Sequence, residues 1–354
     1  MAWVRPIRAA TALSVTAWGP SSTSSARAAS IAASRDSSGL RRLRIIDTSV
    51  SKAYQSCKSG SHPVRRFLWR KATTPRDLTI TPRDRRFGRD TAMGRWWLNN
   101  DPYATAFYNA LSVTFPRGEA FFVESVRAFR DDTPPKLAGE IQAFIKQEVM
   151  HTREHVAFNR HVVDQGYDIT RLETRVQESL DLTKGRPPIA NLTATMVLEH
   201  FTAIIAHELL ANPRHLAGGE EEFANLWRWH AAEEIEHKGV AYDTWLHATR
   251  NWTEWQRFKV KALVMLGVTT NFTRGRIVGM LDLLRQDGLT GPKVWAKMFW
   301  YAFGRPGMAR KIAGQWLAFF RPSFHPWNHD DRTLIGMYES EYEAAVLPRE
   351  AVAA

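Results

Sequence analysis

The sequence predicts an all-α protein: a bundle of four long helices followed by a C-terminal helical extension. Three observations carry this expectation. From about residue 100 onward, apolar side chains recur every three or four positions and strand-like alternation is scarce. Breakers cut the chain into helix-length segments at Phe115-Pro116-Arg117-Gly118, Thr133-Pro134-Pro135, Gly166, Gly185-Arg186-Pro187-Pro188, Gly218-Gly219 and Asp287-Gly288. The 354 residues are 44% hydrophobic and 11% aromatic, enough for a sizeable core and too apolar for a wholly disordered chain.

In chain order the four long segments are 117–131, 135–165, 188–215 and 219–250. Thr133 is placed to cap the second, with Pro134 in its first turn. A further helical region, about 253–345, is heavy in Trp, Phe and Met. The domain expectation is a basic extension or linker over 1–95, the bundle over 96–250 and the aromatic-rich extension over 251–354.

Charge separates the first of these from the rest. The net charge is +12, yet residues 1–93 hold 18 Lys and Arg against 5 Asp and Glu, while the remainder is nearly balanced. The basic excess therefore belongs to the N-terminal segment, which argues against a nucleic-acid-binding body. Residues 1 to about 60 are rich in Ser, Ala and Arg. They read as a targeting segment, a basic tail or an upstream extension from a misassigned start. Residues 61–95 read as a linker or an arm on the body. The single cysteine, Cys57, excludes an intramolecular disulfide and Cys-based zinc or iron–sulfur sites. No run of 18 uninterrupted apolar residues marks a membrane span, and the expected location is cytoplasmic, with membrane association as an alternative.

The chemistry lies in what interrupts the apolar stripes. In 135–165 the stripe Leu137, Ile141, Phe144, Ile145 continues at helical spacing into Glu148, His151 and His155, then Val162. In 219–250 the stripe Phe223, Leu226, Trp227 continues into His230, Glu234 and His237, then Val240. Glu at i and His at i+3 project from one helical face. Buried carboxylates are costly unless paired or bound to metal. The other two segments each add an inward glutamate: Glu119 with Phe122, Val123 and Val126, and Glu199 with Leu192, Met196, Ala203 and Ala206.

The pattern is thus Glu119, Glu148-x-x-His151, Glu199, Glu234-x-x-His237, an internal repeat. Four carboxylates and two imidazoles on four helices form the ligand set of ferritin-like dinuclear sites. A lone E-x-x-H is weak; two, each preceded by an inward Glu on the prior helix, are far more specific. The competing reading is a bundle with hydrogen-bonded Glu and His faces. His155 and His230 share the seam without counterparts in the repeat and read as extra ligands, supporting groups or a base. Gln147 and Glu233, each just before a motif glutamate, are candidates to orient ligand histidines, with salt-bridged surface residues as the equal alternative. Glu124 reads as solvated, and His200 and His207 as packing or hydrogen-bonding groups.

Three stretches resemble the predicted metal-dependent hydrolase family of bacteria: Phe115-Pro116-x-Gly118-Glu119-x-Phe121-Phe122, then Phe144-Ile145-x-Gln147-Glu148-x-x-His151-x-x-x-His155, then Trp229-His230-x-x-Glu233-Glu234-x-Glu236-His237-Lys238. The resemblance covers about 95–340 and implies a metal-binding helical protein. Residues 1–90 depart from the family's usual pattern.

Carboxylate and imidazole ligands without thiolate suit iron above all, with manganese or zinc as alternatives. Two metal ions are expected, one with Glu119, Glu148 and His151, the other with Glu199, Glu234 and His237, and Glu148 and Glu234 as bridges. Three functions compete. The first is an oxygen-activating oxidoreductase on a small apolar or lipid-like substrate. The second is a hydrolase using metal-activated water, with His155, His230 or Glu233 as base. The third is metal storage or a structural metal. No nucleophile elbow or phosphate loop is visible. The aromatic residues of 295–327 read as core, with an apolar substrate channel or a peripheral lipid contact through Lys293, Lys297, Arg305, Arg310 and Lys311 as the alternatives. A homodimer through long helices is a further expectation. His325 and His329 read as capping or loop groups.

Overall fold

In the computed structural model, which describes residues 73–353, regular structure is helical, and the described residues contain no β-strand beyond a single bridge between Leu98 and Gly219. The helices are α1 (Pro102–Ser112), α2 (Phe115–Arg127), α3 (Pro135–Asp164), α4 (Thr170–Asp181), α5 (Pro188–Ala211), α6 (Glu221–His237), α7 (Val240–Ala248), α8 (Glu254–Gln286), α9 (Pro292–Phe299), α10 (Met308–Ala318) and α11 (Arg332–Ala353). The expectations for residues 1–72 lie outside the described residues.

Local chemistry sets several of the helix starts. Asp101 caps α1 by accepting from the amides of Tyr103 and Ala104, with Pro102 at the first helical position. Proline also opens α3 and α5. At α3 the expected cap is displaced by one residue. Pro134 stands at the cap and Pro135 in the first turn, while the Thr133 hydroxyl turns back to the Arg130 carbonyl. α8 starts with a reciprocal Thr253–Gln256 capping box.

The segment expected as one helix over 219–250 is two, α6 and α7, broken at Lys238-Gly239. A Cβ at 239 would collide with the Thr74 hydroxyl and the Trp327 indole, so the glycine lets two flanking segments approach the break. A short amphipathic helix, α4, lies between the second and third long helices and buries only Leu172.

Four helices carry the site. α2 packs on α3, α5 on α6, α2 on α5 and α3 on α6. Two apolar clusters lie along them. One gathers Trp97, Tyr108, Phe158, Phe223 and Trp227; the other gathers Ile141, Phe144, Leu192, Met196 and Trp245. Along α3 the second cluster comes first, then Glu148, His151 and His155, then Phe158 and Val162 of the first cluster. α6 runs from the first cluster through His230, Glu234 and His237, and Val240 in α7 returns to the second. The polar layer is therefore sealed between two apolar cores. α5 is apolar and long enough to cross a membrane, yet 72% of its most apolar window is buried inside the protein.

The segment 73–97, expected as a linker or surface arm, threads into the body. Phe87, Met93 and Trp97 join the first apolar cluster. Trp97 donates its indole N–H to Asn109 Oδ1 at 3.0 Å. α8 likewise belongs to the central packing, against α1 and α5.

Candidate metal centre

Each inward residue predicted from helical spacing meets the others at the middle of the four helices. Glu119, Glu148, His151, Glu199, Glu234 and His237 are all buried, none more than 2% exposed. The two repeat glutamates lie between the two imidazoles. Glu148 Oε1 is 3.2 Å from His237 Nε2, and its Oε2 is 4.0 Å from His151 Nδ1. Glu234 Oε1 is 3.8 Å from His151 Nδ1, and its Oε2 is 3.5 Å from His237 Nε2. Glu119 clusters with Glu148 and His151, while Glu199 Oε2 stands 3.4 Å from His237 Nε2.

The hydrogen-bond accounting is one-sided. Both oxygens of Glu148 and of Glu199, Glu119 Oε1, Glu234 Oε2, His151 Nδ1 and His237 Nε2 have no hydrogen-bond partner. Buried polar atoms are almost always satisfied. Unpartnered carboxylate oxygens beside imidazole nitrogens, in the groups Glu119–Glu148–His151 and Glu148–Glu234–His237, have the donor set of a site for cations with mixed oxygen and nitrogen preference. The residues present therefore fit the metal that their pattern implies.

The backs of the two imidazoles are held in exchange. His151 Nε2 is 3.0 Å from Glu233 Oε2, and His237 Nδ1 is 3.0 Å from Gln147 Oε1. The residue preceding each motif glutamate thus holds the histidine of the other motif. A carboxylate or amide oxygen can only accept, so each outer nitrogen carries the proton and leaves the inner nitrogen to face the centre. Gln147 is oriented by Glu236 Oε2, which accepts from its Nε2 at 2.8 Å. The second Glu233 oxygen accepts from the Arg83 amide at 2.8 Å, and the Arg83 guanidinium pairs with Glu236 at 2.9 Å. Glu233 is consequently engaged at both oxygens and orients His151; it does not stand as a free base. Arg83 was invisible to pattern reasoning, because its partners lie about 150 residues away and nothing local marks it.

His155 and His230 form a chain away from the centre. Asn159 Nδ2 donates to the Ser112 carbonyl, which turns Asn159 Oδ1 toward the Ser112 hydroxyl as its acceptor at 2.7 Å. His155 Nδ1, 2.8 Å from Ser112 Oγ, must then donate. Its Nε2 accepts from His230 Nδ1 at 2.7 Å, and His230 Nε2 sits 2.8 Å from Glu234 Oε1. With that contact the chain ends at the centre. Its outer end, Asn159, lines a surface cleft with Arg160 and Arg117.

Burial, then the crowding of carboxylates, pushes Glu119 and Glu148 well above the usual carboxylate range. Burial, with Glu234 next, pushes Glu199 up to about 7. Glu234 goes the other way: burial raises it, but the His237 and His230 rings outweigh that and hold it well below the usual range. His237 is lowered by burial and raised more by the carboxylates it faces, so it ends well above its ordinary value. Burial, with His230 beside them, keeps His151 and His155 neutral.

An apolar cavity of about 30 Å³ reaches this centre, lined by Leu111, Phe115, Ile205, Leu209, Trp227 and Phe272, with His230 and Glu234 at its polar end. That is room for one or two molecules the size of water. Of the other histidines, His200 packs on Phe319 and bonds the Gln315 carbonyl, and His325 bonds Asp243 and caps a turn. Glu124 is exposed.

The sequence profile of the predicted metal-dependent hydrolase family matches residues 81–330. The chain belongs to that family. Its match begins earlier than the motifs suggest and takes in Arg83, the residue that braces both glutamates behind the imidazoles. No curated protein and no solved structure matches the chain. The family description and the buried His and Glu groups agree on a metal site.

Proposed function

We propose that the chain is a dinuclear metal enzyme of ferritin-like architecture, which turns over a small apolar substrate by oxygen-dependent chemistry. The observation that carries the reading is the set of orphaned donors: four carboxylates and two inward imidazole nitrogens, sealed between apolar cores. Glu119, Glu148 and His151 would hold one ion; Glu199, Glu234 and His237 the other; Glu148 and Glu234 face both imidazoles. When bound, two iron ions would supply redox chemistry with dioxygen. The cavity at Glu234 is lined almost wholly by apolar side chains and has room for a molecule the size of dioxygen, which favours this reading over hydrolysis of a polar ester. His230 and His155, hydrogen-bonded in series from Glu234 to Ser112, would take up a proton released at the centre.

A hydrolytic reading is favoured by the family description. There the same His155–His230 chain would receive a proton from water. Oxygen uptake separates the two. Protein loaded anaerobically with ferrous iron and then exposed to air should consume dioxygen stoichiometrically, and the Glu234→Ala variant should not. Ester or phosphoester turnover by zinc- or manganese-loaded protein, with no oxygen uptake by the ferrous form, would replace the oxidative reading with the hydrolytic one.

A further inference from the structure

α9 is apolar on both of its faces, and the protein uses only one. Val294, Met298 and Tyr301 point into the first apolar cluster. Trp295, Phe299, Trp300 and Phe303 point outward and are 53%, 65%, 62% and 47% exposed. The Phe299 and Phe303 rings stack at 4.9 Å, one helical turn apart, and extend the outward face beyond the end of the helix. Leu317 on α10 is 61% exposed. Isolated exposed apolar residues are ordinary, but four large rings within nine residues are not.

Charge identifies what covers this face. Residues 288–329 contain six Lys and Arg and no Asp or Glu. Lys293 and Lys297 flank the rings on α9; Arg305 and Arg310 follow them, all exposed. Beside Trp300 a cleft of about 700 Å³ is lined by Lys297, Arg305 and Arg214. Its one carboxylate, Asp101, is occupied in capping α1. Tryptophan and phenylalanine at headgroup depth, with cations beside them, are the chemistry of an interfacial helix on an anionic bilayer. A second copy paired through the same face would set these cations against their own symmetry mates.

We propose that the outward face of α9 and the turn after it docks the protein on an anionic lipid surface, the aromatic rings entering the headgroup layer and the Lys297–Arg305–Arg214 cleft taking a headgroup phosphate. This inference stands independently of the metal chemistry.

The test is flotation of the full chain with vesicles of phosphatidylcholine alone and of phosphatidylcholine with phosphatidylglycerol. The N-terminal segment is itself basic, so variants of the face decide the matter. Wild-type protein should float with the anionic vesicles. The W295S/F299S/W300S variant should lose partitioning by about tenfold or more. K297Q/R305Q should lose it by roughly twentyfold at low salt. All three side chains replaced in the triple variant are exposed, so its helicity and metal content should match wild type. Undiminished flotation of the triple and double variants would overturn the proposal. So would a wild-type dimer that the triple variant converts to monomer while vesicle binding is unchanged, since the face would then belong to a second copy.

Discussion

Among the described residues, a cluster at the rim and a cluster at the centre combine histidine with carboxylate, and their hydrogen bonding differs. At the rim, Asp331 Oδ1 accepts from His207 Nδ1 at 2.8 Å and from His329 Nδ1 at 2.6 Å, while its Oδ2 takes the Lys238 ammonium at 2.5 Å. Each carboxylate oxygen there has a donor. At the centre, six of the eight oxygens of Glu119, Glu148, Glu199 and Glu234 have no hydrogen-bond partner. Both groups bring His and carboxylate atoms close enough to hold an ion. Proximity therefore does not distinguish them; satisfaction does. The rim cluster is a closed network that ties the 329–331 segment to α5 and to Lys238 at the end of α6. The central one has the donor set of a cation site.

The largest effect expected from this contrast falls on the centre. Glu148→Ala or Glu234→Ala should abolish tight metal binding while far-ultraviolet circular dichroism stays helical, since the apolar cores on either side are untouched. Retention of full metal content by both variants would dissolve the distinction drawn above.

How much of this contrast was legible beforehand depends on the range of the contacts. Helical periodicity puts Glu148 with His151 and Glu234 with His237 on common faces, so the six inward residues follow from spacing alone. Gln147 and Glu233 follow from adjacency, although their exchange between motifs requires two helices in register. Arg83 does not follow: its role depends on an irregular segment reaching α6. The break at Gly239 depends on Thr74 and Trp327 crossing nearby, which no local pattern encodes. The aromatic residues of 295–327 divide between core and surface, Trp327 and Phe319 inward, Trp295 and Phe299 outward, and composition cannot separate the two groups.

The next effect belongs to the rim. Asp331→Asn should leave Lys238 buried without its anion and cost about 3–5 kcal/mol in urea unfolding at neutral pH. Asp331 is raised by burial but lowered more by His207 and Lys238, so its carboxyl lies far below the usual range. Its contribution is present above its unfolded value and fades in strong acid. Metal content of the variant should be unchanged; a loss would couple the two clusters.

A smaller effect separates the centre with and without metal. Glu199 is raised from 4.5 to about 7 in the metal-free fold. Its favourable contribution is complete below pH 4.5 and lost as the pH rises through about 7. Glu199→Gln should therefore stabilise chelator-treated protein increasingly between pH 5 and 8, by up to about 3 kcal/mol. Parallel urea midpoints for variant and wild type across that range would contradict the assignment.

The smallest effect probes the crossed supports. Glu233→Ala and Gln147→Ala should each weaken metal affinity by about 10- to 100-fold, without eliminating it. Isothermal titration of the chelator-treated proteins would measure both. Because each residue holds the opposite motif's histidine, similar losses are expected. Unchanged affinity in both variants would reduce these bonds to packing.

The central claim is that the orphaned lone pairs between the two apolar cores are a cation site of fixed capacity. Elemental analysis of full-length protein purified without chelator or affinity tag tests it most directly. The account predicts two equivalents of a transition metal per chain, with iron favoured, and their loss in Glu234→Ala. Protein with no bound metal, which takes up none on incubation with ferrous iron, manganese or zinc, would contradict it.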